Sequence, residues 1–160
     1  DTAADTDTDT RTASATAGWS IEELLRRMLV WGAGTGVLIG MLMAAGAAWL
    51  PRAFTSDAGV IAAATPTLLV AASAQPLAGV VFLLDGVLMG AGDGRYLARA
   101  GLVTLVPYVP LALLIGGGVL PGADGATSGL VLLWIAFAWV FMAARGATTY
   151  LRSRGTAWRH

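Results

Sequence analysis

Residues 58–93 read AGVIAAATPTLLVAASAQPLAGVVFLLDGVLMGAGD, and the first 27 of them, 58–84, carry no charge. A membrane-crossing helix needs about 20 mostly apolar residues to traverse a hydrocarbon core about 30 Å thick. This run is long enough. Working outward, residues 28–50 form an uncharged run of 23, residues 100–123 one of 24, and residues 125–144 one of 20. Four buried helices in a water-soluble chain would need a polar shell, yet only 12% of the residues are charged and 56% are hydrophobic. Soluble domains average about 25% charged residues. The reading is an all-α membrane protein with four transmembrane helices. The first run is no secretory signal, because it begins after 27 residues and three further runs follow it.

The remaining composition excludes several classes. Ten acidic residues balance ten basic ones, all arginine, so no basic excess exists to attract nucleic acid. The chain has no cysteine, and its single histidine is the last residue, His160. Disulfides, thiol nucleophiles and the usual zinc ligand sets are therefore ruled out, and no cofactor motif is present.

Residues 1–19 are rich in Asp, Thr, Ala and Ser and cannot bury enough apolar surface to offset chain entropy, which predicts a disordered polar loop or tail. Ser20 and Glu23 form a capping-box pattern. An amphipathic start and the first span are expected over 20–50, with Arg26 and Arg27 at the membrane surface and Pro51 ending the helix. The second span is expected over 57–92, capped by Ser56 or Asp57 and bent or divided near Pro66 and Pro76. The third is placed over 98–119, fraying into Gly116, Gly117 and Gly118, and the fourth over 127–150. A basic tail, 151–160, completes the chain. Counting arginines on alternate sides puts nine on the side of the two termini and Arg52 alone on the other. Arginine is enriched in cytoplasmic loops, so both termini are expected in the cytoplasm of a multi-pass plasma-membrane protein.

Within the spans, Gly32, Gly36, Gly40, Ala44 and Ala48 recur every fourth residue. Small residues at that spacing let helix backbones approach closely in lipid. Gly79, Gly86 and Gly90 suggest a shorter small face on the second span. Asp85 is the most informative side chain, because a carboxylate in a membrane helix costs several kcal/mol unless it meets a cavity or a partner. Either a wet cavity or a bond to Arg95, Arg99 or a helix end accounts for it. Gln75 precedes Pro76, whose ring denies the carbonyl of Ala72 its helical partner, so both groups are candidates for a cavity wall or for interhelical glue. Pro107 and Pro110 suggest a hinge in the third span.

Gly90-Ala-Gly-Asp93 also matches the Gly-x-Gly-Asp string of intramembrane aspartyl proteases. On one helix, however, Asp85 and Asp93 would lie about 12 Å apart along the axis and about 80° around it. They cannot form a dyad, and the chain is not expected to be an enzyme.

The string Phe82-Leu-Leu-Asp85-Gly86-Val-Leu-Met-Gly90-Ala-Gly-Asp93, preceded by Gln75-Pro76, resembles the multidrug and toxic compound extrusion (MATE) family. Its DinF-like branch is the most similar. Leu50-Pro51-Arg52-Ala-Phe54-Thr55-Ser56-Asp57 and Trp134-Ile-Ala136-Phe137, with Arg145 and Arg152, agree in order and spacing, so the resemblance runs from about Arg26 to Arg154. It implies a twelve-helix, two-lobe antiporter fold of which these are helices nine to twelve. It also implies export of amphipathic or cationic small molecules in exchange for protons or sodium. The chain begins with Asp1, and it is expected to be a C-terminal fragment, inactive without the missing N-terminal lobe and the first helices of the second lobe. On this reading Gln75, Asp85 and the Pro107–Pro110 kink face the central cavity. The alternative is a small four-helix membrane scaffold that binds a partner and moves no solute.

Overall fold

The structure, a computed structural model, describes residues 21–154, all of whose regular elements are helical. Among the described residues, four helices are long and apolar enough to cross a membrane. The first, α1 (Ile21–Gly46), leads through a turn into the short α2 (Leu50–Phe54). The second span is α3 (Ala58–Gly90) and the third α4 (Gly94–Gly116). The fourth comprises α5 (Ala126–Ile135), a π-helical segment (Ala136–Phe141) and α6 (Met142–Arg154). The expected tail over 1–19, the Ser20 cap and the tail beyond Arg154 lie outside the described residues.

Several boundaries differ from the sequence reading. Helix α1 stops at Gly46, before Pro51, and Pro51 instead occupies the first turn of α2, where its missing N–H is not needed. Asp57 rather than Ser56 caps α3: its carboxylate accepts from the backbone of Gly59 at 2.7 Å and Val60 at 3.1 Å. Helix α3 then continues undivided through Pro66 and Pro76. Beside Pro66, the hydroxyls of Thr65 and Thr67 donate to the carbonyls of Ile61 and Ala63. Asp93 lies beyond the end of α3, in the turn before α4. Helix α4 begins at Gly94, so Arg95 and Arg99 fall inside its first two turns. It runs through Pro107 and Pro110 as one element. Its end does not fray. Val119 donates to Leu114 and Gly118 to Ile115, with Gly118 at φ +67°. The same Schellman closure ends α3, where Asp93 donates to Leu88, Gly92 to Met89, and Gly92 has φ +79°. Both positions need the left-handed conformation that glycine adopts without steric cost.

Helix α3 is the centre of the bundle, packed against α1 on one side and against α5 and α6 on another. Its buried residues include Ala74, Ala78, Val81, Leu84 and Leu88. Elsewhere the long helices expose large apolar side chains such as Val30, Leu42, Leu102, Val106 and Leu113. Such a surface suits lipid or further apolar helices and is poorly matched to water.

Candidate functional site

Spans consecutive in the chain run antiparallel, and the small residues show why the first two approach so closely. On α1, a Cβ at Gly36 would collide with the Gln75 carbonyl and lie 2.8 Å from Pro76 Cα, and one at Gly40 would lie 2.6 Å from the Ala72 carbonyl oxygen. Toward the other end, a Cβ at Gly32 would sit 3.0 Å from the carbonyl oxygen of Gly79, and Gly79 in turn has no room against the backbone of Gly32. The carbonyl that Pro76 leaves without a helical donor is that of Ala72, so the proline and the glycine stripe meet at one place. The unpaired oxygen is covered by the Gly40 backbone rather than opening into a cavity. Gly86 and Gly90 are different: nothing lies within 4 Å of a Cβ at either. They form no packing face with Gly79 among the described residues.

Gln75 is half-buried, with its backbone and Cβ in the α1 contact. Around the axis of α3 it falls near exposed Phe82, Gly86 and Met89, which leaves its amide at the edge of the α1 interface.

Asp85 lies about 7.5 Å along α3 from the helix end at Gly90. Its partner is Arg145 of α6, not Arg95 or Arg99. Arg145 Nε and Nη2 both donate to Asp85 Oδ2, at 3.2 and 3.1 Å. Arg145 Nη1 donates to the Leu97 carbonyl of α4 at 2.9 Å. The side chains are 22% and 15% exposed. Gly101 makes room for the guanidinium, since a Cβ there would stand 3.3 Å from Nη1. Asp85 Oδ1 is buried without a hydrogen-bond partner.

A second pair stands beside the first. Arg152 Nε donates to Asp93 Oδ2 at 2.7 Å, and the guanidinium lies 4.8 Å from the centre of the Tyr96 ring. The Tyr96 hydroxyl donates to the Thr148 carbonyl at 2.7 Å. The two aspartates of the protease-like string are therefore held by separate arginines, and Asp93 occupies a turn.

Pro107 and Pro110 flank Tyr108, whose ring meets Phe137 and Phe141 edge-on at 6.1 and 5.8 Å. Phe137 and Phe141 stack at 5.3 Å across the π segment, and Trp134 meets Phe137 edge-on at 6.0 Å. Tyr108, Leu130, Leu133, Trp134 and Phe137 line one groove between the third and fourth spans. The structure thus brings the proline pair to an aromatic cluster, while Gln75 and Pro76 lie on the α1 side of α3 and Asp85 near its arginine-rich end. These candidates do not converge on one cavity within the described residues. No group of three His, Asp or Glu side chains there is arranged to hold a metal ion.

The arginine partners and the aromatic cluster were not identified from sequence. Asp85 and Asp93 are eight residues apart, and Arg145 and Arg152 seven, each about two helical turns. Matched spacings on two helices are the signal that could have paired them.

The family model MatE matches residues 19–114, which reaches nearly to the end of α4. A curated relative, Protein DETOXIFICATION 42 of Arabidopsis thaliana, is 30% identical over 144 residues, 90% of this chain and 24% of the relative. The chain spans about a quarter of the length of the curated relative it matches. No solved structure matches it significantly.

Proposed function

The chain belongs to the MatE family of membrane transporters, and we propose that it forms helices nine to twelve of a twelve-helix, two-lobe antiporter of the DinF-like branch. In that reading the whole protein expels amphipathic or cationic small molecules in exchange for protons or sodium by alternating access. The observation that carries it is the family match over the first three long helices, the region that also holds the Gln75-Pro76 and Asp85-to-Asp93 strings. The exposed apolar faces of α1 and α4 would be covered by lipid and by the remaining helices of the protein. Gln75, Pro76, Pro107 and Pro110 are the residues we assign to the transport pathway. Asp85 joins them only through its pair with Arg145.

Orientation follows from charge. Arg26 and Arg27 start α1, Arg95 and Arg99 start α4, and Arg145, Arg152 and Arg154 lie in α6, all toward one end of the antiparallel bundle. Arg52, Asp57 and Asp124 lie toward the other. The arginine-rich end is assigned to the cytoplasm of a plasma-membrane protein.

The test is export by the full-length protein in energised membrane vesicles supplied with a fluorescent lipophilic cation. Export that stops when the proton and sodium gradients are collapsed supports antiport. Absence of gradient-dependent export of any amphipathic cation, from correctly inserted protein, favours a role without transport.

A further inference from the structure

Two of the three arginines of α6, Arg145 and Arg152, do more than neutralise two acids. Residues 145, 148 and 152 fall within about 60° of one face of the helix, and each of them reaches the junction of α3 and α4. Arg145 bonds Asp85 and the Leu97 carbonyl. Thr148 accepts from Tyr96 through its carbonyl, and Arg152 bonds Asp93 while covering the Tyr96 ring. Every one of these bonds links segments about 50 to 60 residues apart in the chain. Arginine suits the task because its planar fork presents several donors in fixed directions, so one side chain can hold a carboxylate and a carbonyl together.

We propose that this face of α6 is a staple that closes the turn between the second and third spans, with Arg145 as its positioning residue, and that Asp85 serves the staple and not the exchange of the coupling ion. Asp85 Oδ2 is occupied by two donors from Arg145, and Oδ1 is buried, so neither oxygen is presented to a pathway. The staple makes the second, third and fourth spans one body. It rests on the transport reading in one respect: that body is what rocks when the protein changes its open side.

The pair predicts a pattern that single substitutions alone do not. Removing one partner of a largely enclosed ion pair leaves the other charge uncompensated, whereas removing both is milder. Ala100, 4% exposed on α4, reports the closed junction when replaced by cysteine in a cysteine-free background of the full-length protein. With the staple intact, Ala100→Cys is labelled slowly by a membrane-permeant maleimide. Arg145→Gln should raise that rate at least several-fold and reduce export by a similar factor. Asp85→Asn together with Arg145→Gln should recover most of both losses.

An unchanged labelling rate in Arg145→Gln, or a double variant as labile as the two single losses combined, overturns the staple. If Arg145→Gln does not accumulate in the membrane, recovery of the double variant supports the pair and failure to recover overturns it. Arg152→Gln, whose arginine is the more exposed of the two, should raise labelling by a smaller factor, and a rate equal to the parent removes that rung. Labelling needs no transport, so the staple and the antiport reading can fail separately.

Discussion

Gly36 and Gly86 are both glycines in long membrane helices, yet their surroundings are opposite. A Cβ at Gly36 meets the backbone of Gln75 and Pro76, which has nowhere to move, and a Cβ at Gly86 meets nothing. Gly36→Ala should therefore destabilise the α1–α3 contact by about 1–3 kcal/mol, the usual cost of overpacking. Gly86→Ala should be neutral or stabilise by about 0.5–1 kcal/mol through helix propensity. Thermal unfolding of the detergent-solubilised protein separates the two, and equal midpoints would contradict the packing. Spacing alone put both glycines on small faces, because periodicity reports which residues share a side and not whether a neighbour stands there. Asp85 shows the same limit. Its need for a partner was legible from the cost of an intramembrane carboxylate, but Arg145 is 60 residues away in the chain and only packing could select it over nearby Arg95 and Arg99.

Helix ends and irregularities belong to the next scale. Asp57→Ala removes the side chain that accepts from Gly59 and Val60, and the loss should be about 1 kcal/mol, measured by the same unfolding experiment. Capping chemistry is local, so the sequence could name Ser56 or Asp57, and the backbone geometry selected the latter. The π segment at Ala136–Phe141 had no such local signature. It sets the rotational phase between α5, which packs on α3, and the arginine face of α6. Deleting Ala138 should remove the extra residue that a π turn adds and convert the segment toward α-helix with α6 left nearly in phase, Arg145 and Arg152 still facing Asp85 and Asp93. A deletion variant much less stable than the parent in the same unfolding experiment would contradict this. The prolines carry a related lesson. Pro76 did not divide α3, because the carbonyl it frees is covered by the close approach of Gly40, a compensation available only from another helix.

For the whole molecule, the arrangement predicts sidedness. Val119, in the turn after α4, and Leu151, near the end of α6, are each 70% exposed and lie at opposite ends of the bundle. With the arginine-rich end in the cytoplasm, Val119→Cys should react with an impermeant maleimide in intact cells, and Leu151→Cys only after permeabilisation. The reverse pattern would invert the orientation. The amino-acid sequence by itself determined that the chain is helical and membrane-spanning, how many long helices its described residues form and which end of the bundle is rich in arginine. Those properties follow from the length of uncharged runs and from the cost of placing charge in hydrocarbon, both of which are additive along the chain. Tertiary structure alone decided that Asp85 joins Arg145, that Asp93 joins Arg152, that Gly36 is packed while Gly86 is open, and that Tyr108 meets Phe137 and Phe141. Each of those outcomes depends on the rotation and separation of two helices distant in sequence, and that geometry arises only when their surfaces pack together.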